Sequence, residues 1–534
     1  MSIAVQTETL VEFVERAFTR QGQKIALKII TASGREQISF AELQERAERF
    51  AATLRKRGLQ RGEKCAIIGR PRVDWAVAFL GILKAGGVVL PIDASWQPVE
   101  VQRVLREMDA VGAVVSDAPH YEMVKDQSQL QHLVTMDRIP GIPSVRDWLS
   151  AERLRGVPAD PDEVAVMLCT SGTTGNAKGV MLSHANIVSN ATSSLSRLDF
   201  SEDDVVLGIP PWYHVFGLII LVCCLHAGAQ LVYTDDYKNL LTYMAENRVN
   251  ILVGVPKLFH AMYEKLEATI QQNRLARFLW RYAPKLLGTK IKRRLVGDAQ
   301  LKYFLSGGAP LDARVMKGFR RLGIGMVEGY GLTETSPVLT VSTPFNDKIG
   351  SVGPAIPGVE LRIDDPNEEG IGEIVARGPN IMKGYYKNPE ATKKVLEPDG
   401  WFHTGDLGYL DKDGWLYIKG RKKNVIVLEG GKNVYPEEVE FELKQIPLIE
   451  EIMIKGGKRK GVEVIKAFVY PKPELLQKHS LEELKKMIWE AIKEKSKDLA
   501  PYKRVHSIHD LIILDKPFEK SSKLDIKRYL YEEA

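Results

Sequence analysis

Short β-branched runs alternate with longer stretches of helical apolar spacing over most of the chain. Residues 38–57 have helical periodicity; Ser39 and Glu42 stand at capping-box spacing, and Gly58 stops the helix. The pattern then predicts a strand over Lys64–Ile68, a helix over Asp74–Lys84 ended by Gly86 and Gly87, and a strand over Val88–Ile92. A helix over Val99–Met108 and a strand over Ala113–Ser116 follow. Further strands are expected at Val164–Leu168, Val205–Ile209, Gln230–Tyr233, Ile251–Val255 and Tyr303–Leu305, with helices between them. Such alternation is the mark of parallel α/β units. From Gly350 to Tyr417 the texture changes to short strands with Gly and Pro turns. After Gly420 a smaller α+β segment begins, with strands at Glu451–Ile454 and Ile465–Tyr470 and a helix over Leu481–Lys497. The expected fold class is α/β. A large N-terminal domain, 1–420, combines parallel α/β subdomains with a short-stranded β subdomain, and a small α+β C-terminal domain covers 421–534.

Length and composition narrow the field without naming a function. A chain of 534 residues exceeds one hydrophobic core. With 44% hydrophobic and 27% charged residues it reads as a soluble globular protein. A net charge of +6 is too small for this length to argue for a nucleic-acid partner. Cys65, Cys169, Cys223 and Cys224 show no metal-ligand spacing, which favours a reducing, cytoplasmic compartment. The N-terminal residues lack the pattern of a signal peptide, and the apolar runs Ala76–Leu83 and Val215–Leu225 are too short to span a bilayer.

The first chemical stretch is Cys169–Val180, C-T-S-G-T-T-G-N-A-K-G-V. Gly172, Gly175 and Gly179 permit close backbone approach to a ligand. Thr170, Ser171, Thr173 and Thr174 add hydroxyl donors, and Lys178 adds a cation. These are the parts of a phosphate cradle. It is not a Walker loop, because two residues separate Gly175 from Lys178 and Gly179 follows the lysine. The following M-L-S-H-A-N-I-V reads as the start of a helix. The string closely resembles the phosphate loop of the adenylate-forming enzymes, the superfamily of acyl-CoA synthetases, peptide-synthetase adenylation domains and firefly luciferase. One departure is Ala177, where that family usually has proline.

Other stretches carry the same resemblance, in the family's order. In G-Y-G-L-T-E-T-S-P, Gly329–Pro337, an aromatic between glycines can lie flat on a base, and Glu334 offers a hard oxygen ligand. The resemblance implies that Tyr330, next to Gly331, stacks on adenine, that Thr333 contacts the α-phosphate or the acyl carboxylate, and that Glu334 is the Mg²⁺ ligand. In S-G-G-A-P, Ser306–Pro310, the glycine pair permits a close flat contact with a planar ligand, and the resemblance implies that Gly307 and Gly308 edge the adenine and acyl sites. P-W-Y-H-V-F-G, Pro211–Gly217, resembles the family's Pro-x-x-His-x-x-Gly, which implies that His214 lies beside the carboxylate and wall of the acyl site. In the run Trp401–Ile426, Asp406 is an acceptor for two ribose hydroxyls and Arg421 a fixed donor fork; the resemblance adds Lys423 as the hinge. In Leu428–Glu440, Gly430, Gly431 and Lys432 resemble the loop lining the pantetheine tunnel, a CoA-binding role.

Near the C-terminus the family places a lysine that contacts the carboxylate and α-phosphate during adenylation. Here the text is K-P-F-E-K-S-S-K-L-D-I-K-R-Y. Counting from Pro517 the lysine is Lys523; counting back from Ile526-Lys527-Arg528 the position is Asp525, of opposite charge. The resemblance implies an ATP-dependent acid:CoA ligase using ATP, Mg²⁺ and CoA. In it Lys178, His214, Thr333, Glu334 and Lys523 are catalytic. The alternatives are a non-catalytic acyl- or nucleotide-binding module, and a ligase that stops at acyl-adenylate or loads a carrier protein. Residues 268–297 contain no acid but eight basic residues, with Leu275, Phe278, Leu279, Tyr282 and Leu286 at helical spacing, Trp280 beside them and Pro284 interrupting. This resembles the long-chain fatty acyl-CoA synthetase branch. It implies a medium-to-long-chain fatty acid and peripheral contact with the inner face of a membrane through 268–297. The rival reading is a helical insertion packed on the protein. Oligomeric state is open, a homodimer included.

Overall fold

A computed structural model describes the chain apart from residues 1–7, 32–33, 172–176, 347, 429–431, 460, 521–525 and 532–534. The chain divides into two compact units. The first holds Met1–Leu361, Ala376–Phe402 and Asp411–Leu416; the second holds Arg362–Val375, His403–Leu410 and Tyr417–Ala534.

The first unit is built on two large sheets. One runs in the order Gly384–Tyr385, Ala177–Ser183, Val164–Ser171, Val88–Ile92, Lys64–Ile68, Ala110–Val115, His132–Thr135. Its pairs are parallel from Val164–Ser171 through His132–Thr135 and antiparallel at the opposite edge. The other runs Val338–Val341, Gly325–Gly331, Tyr303–Gly307, Ile251–Gly254, Val205–Gly208, Gln230–Thr234, Ile25–Thr31, Gly34–Ser39. It is parallel in its centre, with an antiparallel strand at each edge. All twelve residues of helix Val73–Lys84 are buried, so this helix is covered all round and lacks a polar face. Its last residue, Lys84, is buried, and its ammonium donates to the Glu15 carboxylate and to the Arg155 carbonyl, the latter 2.8 Å away. Helix Val215–Ala227 is buried along Gly217–Leu225. These two helices account for the two long apolar runs. Among the described residues no helix is long and apolar enough to cross a membrane.

In the second unit, strands Ile449–Arg459 and Val462–Pro471 pair antiparallel, and Leu511–Ile513 joins in parallel. Helices Pro436–Leu443 and Leu481–Lys495 contribute Val439, Leu443, Leu484, Ile488 and Ile492 to a core with Ile452, Ile454 and Val469. Ser480 and Glu483 form a reciprocal capping box that starts the longer helix.

Several elements differ from the sequence reading. Residues Ala177–Ser183 form a strand, and the helix starts only at His184, capped by Ser183. The chain also begins with a helix, Leu10–Gln21, and a hairpin, Ile25–Thr31 with Gly34–Ser39, that periodicity did not single out. That helix carries a complete Thr9–Glu12 capping box.

Candidate functional site

Lys178 lies on the return strand of a hairpin, directly across from Thr170, with Ser171 opposite Ala177. Gly172, Thr173, Thr174 and Gly175 lie outside the described residues. The glycine after the lysine serves packing: a Cβ on Gly179 would sit 2.6 Å from the Met108 sulfur and 3.0 Å from that of Met167. The segment Met382–Tyr386 fastens this strand to a second motif. Gly384 and Tyr385 pair antiparallel with Met181 and Val180, and the Tyr386 N–H donates to the Gly179 carbonyl at 2.8 Å. On its other side the Met382 N–H donates to the Glu334 carbonyl at 2.9 Å.

Tyr385 thereby reaches both charged groups. Its hydroxyl donates to Glu334 Oε1 at 3.0 Å, and the Lys178 ammonium stands 4.8 Å from its ring centroid. Burial and the neighbouring Glu334 carboxylate push the phenol well above its ordinary range, so it stays a donor at neutral pH. A lysine cation and an oriented carboxylate are thus held on one tyrosine.

The turn that carries Glu334 is tightly built. Tyr330 ends the Gly325–Gly331 strand opposite Thr340, and Thr333–Thr335 form a single 3₁₀ turn. A Cβ at Gly331 would fall 1.8 Å from the Pro337 carbonyl, so only glycine lets the two strands approach there. Asn190 and Asn380 side-chain amides both donate to the carbonyls of Thr335 and Val338. Thr333 is buried and Tyr330 half-buried.

Gly307 and Gly308 end the neighbouring strand. Gly307 accommodates the Phe216 ring, which would lie 3.1 Å from an added Cβ, whereas Gly308 has φ +85 and open space beside it. The Leu311 N–H, just beyond, donates to the buried Glu328 carboxyl at 3.1 Å. Burial lifts that acid to about 7.

His214 stands at the N-cap position of helix Val215–Ala227, and its Nε2 lies 3.8 Å from the buried carboxylate of Asp93. Asp93 is fixed by the Ser95 N–H at 2.9 Å and hydroxyl at 2.7 Å. Gly217 lets the helix start against Pro211, whose carbonyl would lie 2.2 Å from a Cβ. The Cys169 thiol is pushed up to about 12 by burial and does not offer a thiolate.

A second set of groups lies in the second unit. Arg421 Nε sits 2.9 Å from Oδ1 of the buried Asp406. Asp406 is held further by its N–H to the Thr404 hydroxyl at 3.1 Å, and that hydroxyl donates to the Ile374 carbonyl at 2.6 Å. Glu373 accepts from the Gly405 N–H and pairs with Lys422 at 2.7 Å and His403 at 3.3 Å. Burial opposes its ionisation, yet the Lys422 and His403 hydrogen bonds hold the carboxyl below its usual range. Lys423 stands in the 3₁₀ turn Lys422–Asn424 that leads out of strand Trp415–Arg421. Asn424 is tied to Glu437 at 2.5 Å.

Lys432 begins the return of a short hairpin, Ile426–Val427 with Asn433–Val434, and its ammonium is 4.8 Å from the Tyr502 ring centroid. Gly430 and Gly431 lie outside the described residues, as do Lys523 and Asp525. The flanks of the latter are described. Lys520 bridges to Ile526 and its ammonium is paired with Glu451, while Arg528 holds Glu440 with 2.6 Å contacts to both carboxylate oxygens. Tyr385, Asp93, Glu373 and Lys422 were not singled out in the sequence. Each acts through a partner distant along the chain or, for Lys422, through one not readable from spacing.

Comparison with known proteins matches the chain to one family. The model of the AMP-binding enzyme family matches residues 14–386, and that of the AMP-binding enzyme C-terminal domain matches 423–534. A long-chain-fatty-acid–CoA ligase, FadD15 of Mycobacterium bovis, is 32% identical over 78% of this chain and 75% of its own. A feruloyl-CoA synthase of Amycolatopsis sp is 30% identical over 81% of this chain and 84% of its own. The crystal structure of ATP-bound MatB from Rhodopseudomonas palustris superposes with a TM-score of 0.78 at 28% identity, covering 97% of this chain and 98% of that one. The chain belongs to the AMP-binding enzyme family, the adenylate-forming enzymes, and among these to the acyl-CoA ligases.

Proposed function

We propose that the protein activates a medium-to-long-chain fatty acid with ATP and transfers the acyl group to CoA. The carboxylate oxygen attacks the α-phosphorus and pyrophosphate leaves, giving acyl-adenylate. The CoA thiol then attacks the acyl carbon and AMP leaves as the thioester forms. The observation that carries this reading is the Lys178–Tyr385–Glu334 arrangement, a cation and a carboxylate held by one phenol beside a Gly/Thr hairpin. Charge placed before the reaction lowers the barrier where phosphate charge shifts.

Each residue then has a role. Lys178 and the hydroxyls of Thr170, Ser171, Thr173 and Thr174 bind the phosphates, with Gly172 and Gly175 in the connection. Glu334 presents a carboxylate oriented by Tyr385, a donor suited to Mg²⁺, and the Thr333 hydroxyl contacts the α-phosphate or the acyl carboxylate. Mg²⁺ would supply positive charge to the phosphate oxygens. Tyr330 and Gly331 with Gly307 and Gly308 receive the adenine. Asp406, braced by Arg421, accepts the ribose hydroxyls. His214, braced by Asp93, orients the substrate carboxylate. The small domain, 421–534, pivots at Lys423 after adenylation, a hinge motion, and Gly430, Gly431 and Lys432 line the path of pantetheine. Lys523 serves adenylation.

The fatty acid is favoured by the kinship with a long-chain ligase and by the basic apolar insertion at 268–297. The feruloyl relative makes an aryl acid the second reading. Pyrophosphate release and thioester formation, measured in parallel with palmitate, octanoate, acetate and ferulate, separate them. Palmitate or octanoate should give the highest kcat/KM; preference for ferulate or acetate overturns the substrate assignment. Absence of pyrophosphate release with every acid would favour a binding module, and release without thioester an adenylating or carrier-loading enzyme.

A further inference from the structure

The insertion at 268–297 forms helices Arg274–Tyr282 and Pro284–Val296, split where Pro284 was expected to interrupt. One side is packed on the first unit. Ala276, Leu279, Trp280, Ile291 and Leu295 lie against the core that includes Phe319 and Leu322. A Cβ on Gly288 would fall 1.7 Å from the Leu322 carbonyl. Arg321 donates to the Trp280 carbonyl at 2.9 Å and covers its ring at 4.7 Å. Leu279 therefore leaves the outer stripe that its spacing suggested.

The opposite side is a different surface. Leu275, Phe278, Tyr282 and Leu286 are 60%, 58%, 66% and 62% exposed. At 100° per residue, Leu275, Phe278 and Tyr282 form one strip of the outer face and Arg274, Arg277 and Arg281 the strip beside it. Lys285 and Lys290 are further exposed cations on the next helix. No acidic residue occurs from Ala268 to Gly297. A solvated basic face would not also expose four large apolar side chains in one short stretch.

We propose that this face docks on an anionic lipid bilayer, the apolar strip in the headgroup–acyl boundary and the basic strip on lipid phosphates. Two features choose that occupant. The basic strip is complementary to anionic headgroups, and the adjacent apolar strip suits the layer beneath them. A second copy meeting the same face two-fold would bring cation against cation. The packed inner side makes the face a preformed platform.

The test is cosedimentation of the full chain with phosphatidylglycerol/phosphatidylcholine vesicles and with pure phosphatidylcholine vesicles. ATP, CoA and acid are omitted, so the result is separate from the ligase activity. The protein should sediment with the anionic vesicles at low salt and be released by high salt. Arg274→Gln/Arg277→Gln/Arg281→Gln should weaken binding about 100-fold, at about fivefold per basic residue. Leu275→Ser/Phe278→Ser/Tyr282→Ser should weaken it about tenfold or more. Both variants alter solvent-facing positions and should retain wild-type pyrophosphate release with octanoate. The inference is overturned if wild type stays in the supernatant at low salt, or if the serine variant binds as tightly as wild type. It is also overturned if sedimentation velocity shows a dimer that the serine variant dissolves.

Discussion

The Tyr385 hydroxyl donates to Glu334 Oε1 at 3.0 Å, joining a residue of the short-stranded edge to the 3₁₀ turn at the end of a central strand. A hydrogen bond to a charged acceptor is worth about 1.5–3 kcal/mol. Tyr385→Phe keeps the ring against Lys178 and removes only the donor. Its pyrophosphate release should fall about 10- to 100-fold, with a higher Mg²⁺ requirement, while thioester formation from supplied acyl-adenylate is spared. A variant with unchanged Mg²⁺ dependence would remove Tyr385 from the orientation of Glu334.

Lys178 supplies the charge on the other side of that ring. Lys178→Ala should slow adenylation about 10²- to 10³-fold, the usual loss for one preorganised charge contact. Single-turnover pyrophosphate release measures it directly. Wild-type release in this variant would take Lys178 out of the first step.

Much of this fold can be read from short apolar runs. The strands Lys64–Ile68 and Val88–Ile92 have the expected bounds because short, mostly apolar runs form them and glycine or charged residues end them. The strand Ala177–Ser183 was hidden by Lys178 and Gly179, which interrupt its alternation, and by Ser183, whose capping role points to the helix after it. Tyr385 could not be found locally. Its position depends on antiparallel pairing with Val180, far away in the chain, and no periodicity around Gly384 encodes that partner. Asp93 is hidden in the same way, because its partner His214 arrives from a different sheet strand's exit.

The pivot assignment makes a prediction of a different kind. Lys423 lies in the short turn between Arg421, which braces Asp406, and Asn424, which is held by Glu437. Proline fixes φ and removes the N–H. Lys423→Pro should leave pyrophosphate release near wild type and block thioester formation. Equal loss of both half-reactions, or of neither, would move the pivot elsewhere.

The C-terminal lysine is tested by separating the same half-reactions. Lys520 is engaged with Glu451 and bridges to Ile526, and these are the described residues that flank Lys523. Lys523→Ala should lose pyrophosphate release yet convert supplied acyl-adenylate to acyl-CoA. Normal adenylation in Lys523→Ala would pass the role to Lys527, since Lys520 is already paired.

Glu328 gives a prediction about stability. Its carboxyl is buried beneath the Ser306–Leu311 turn and accepts the Leu311 N–H; burial lifts it from 4.5 to about 7, against the lowering effect of that hydrogen bond and of Arg320. The folded state therefore keeps the proton where the unfolded chain releases it. From about pH 4.5 to 7 the unfolded state binds fewer protons, so this group's contribution to stability falls as pH rises, and it is level above that window. The full effect is about 3 kcal/mol at most. Glu328→Gln cannot ionise and can still accept the Leu311 N–H through its amide oxygen. Denaturant midpoints should place the glutamine variant level with wild type near pH 4.5 and above it at pH 8. A difference between the two proteins that does not change with pH would mean that Glu328 is already ionised in the fold, with its charge compensated by groups other than the Leu311 N–H.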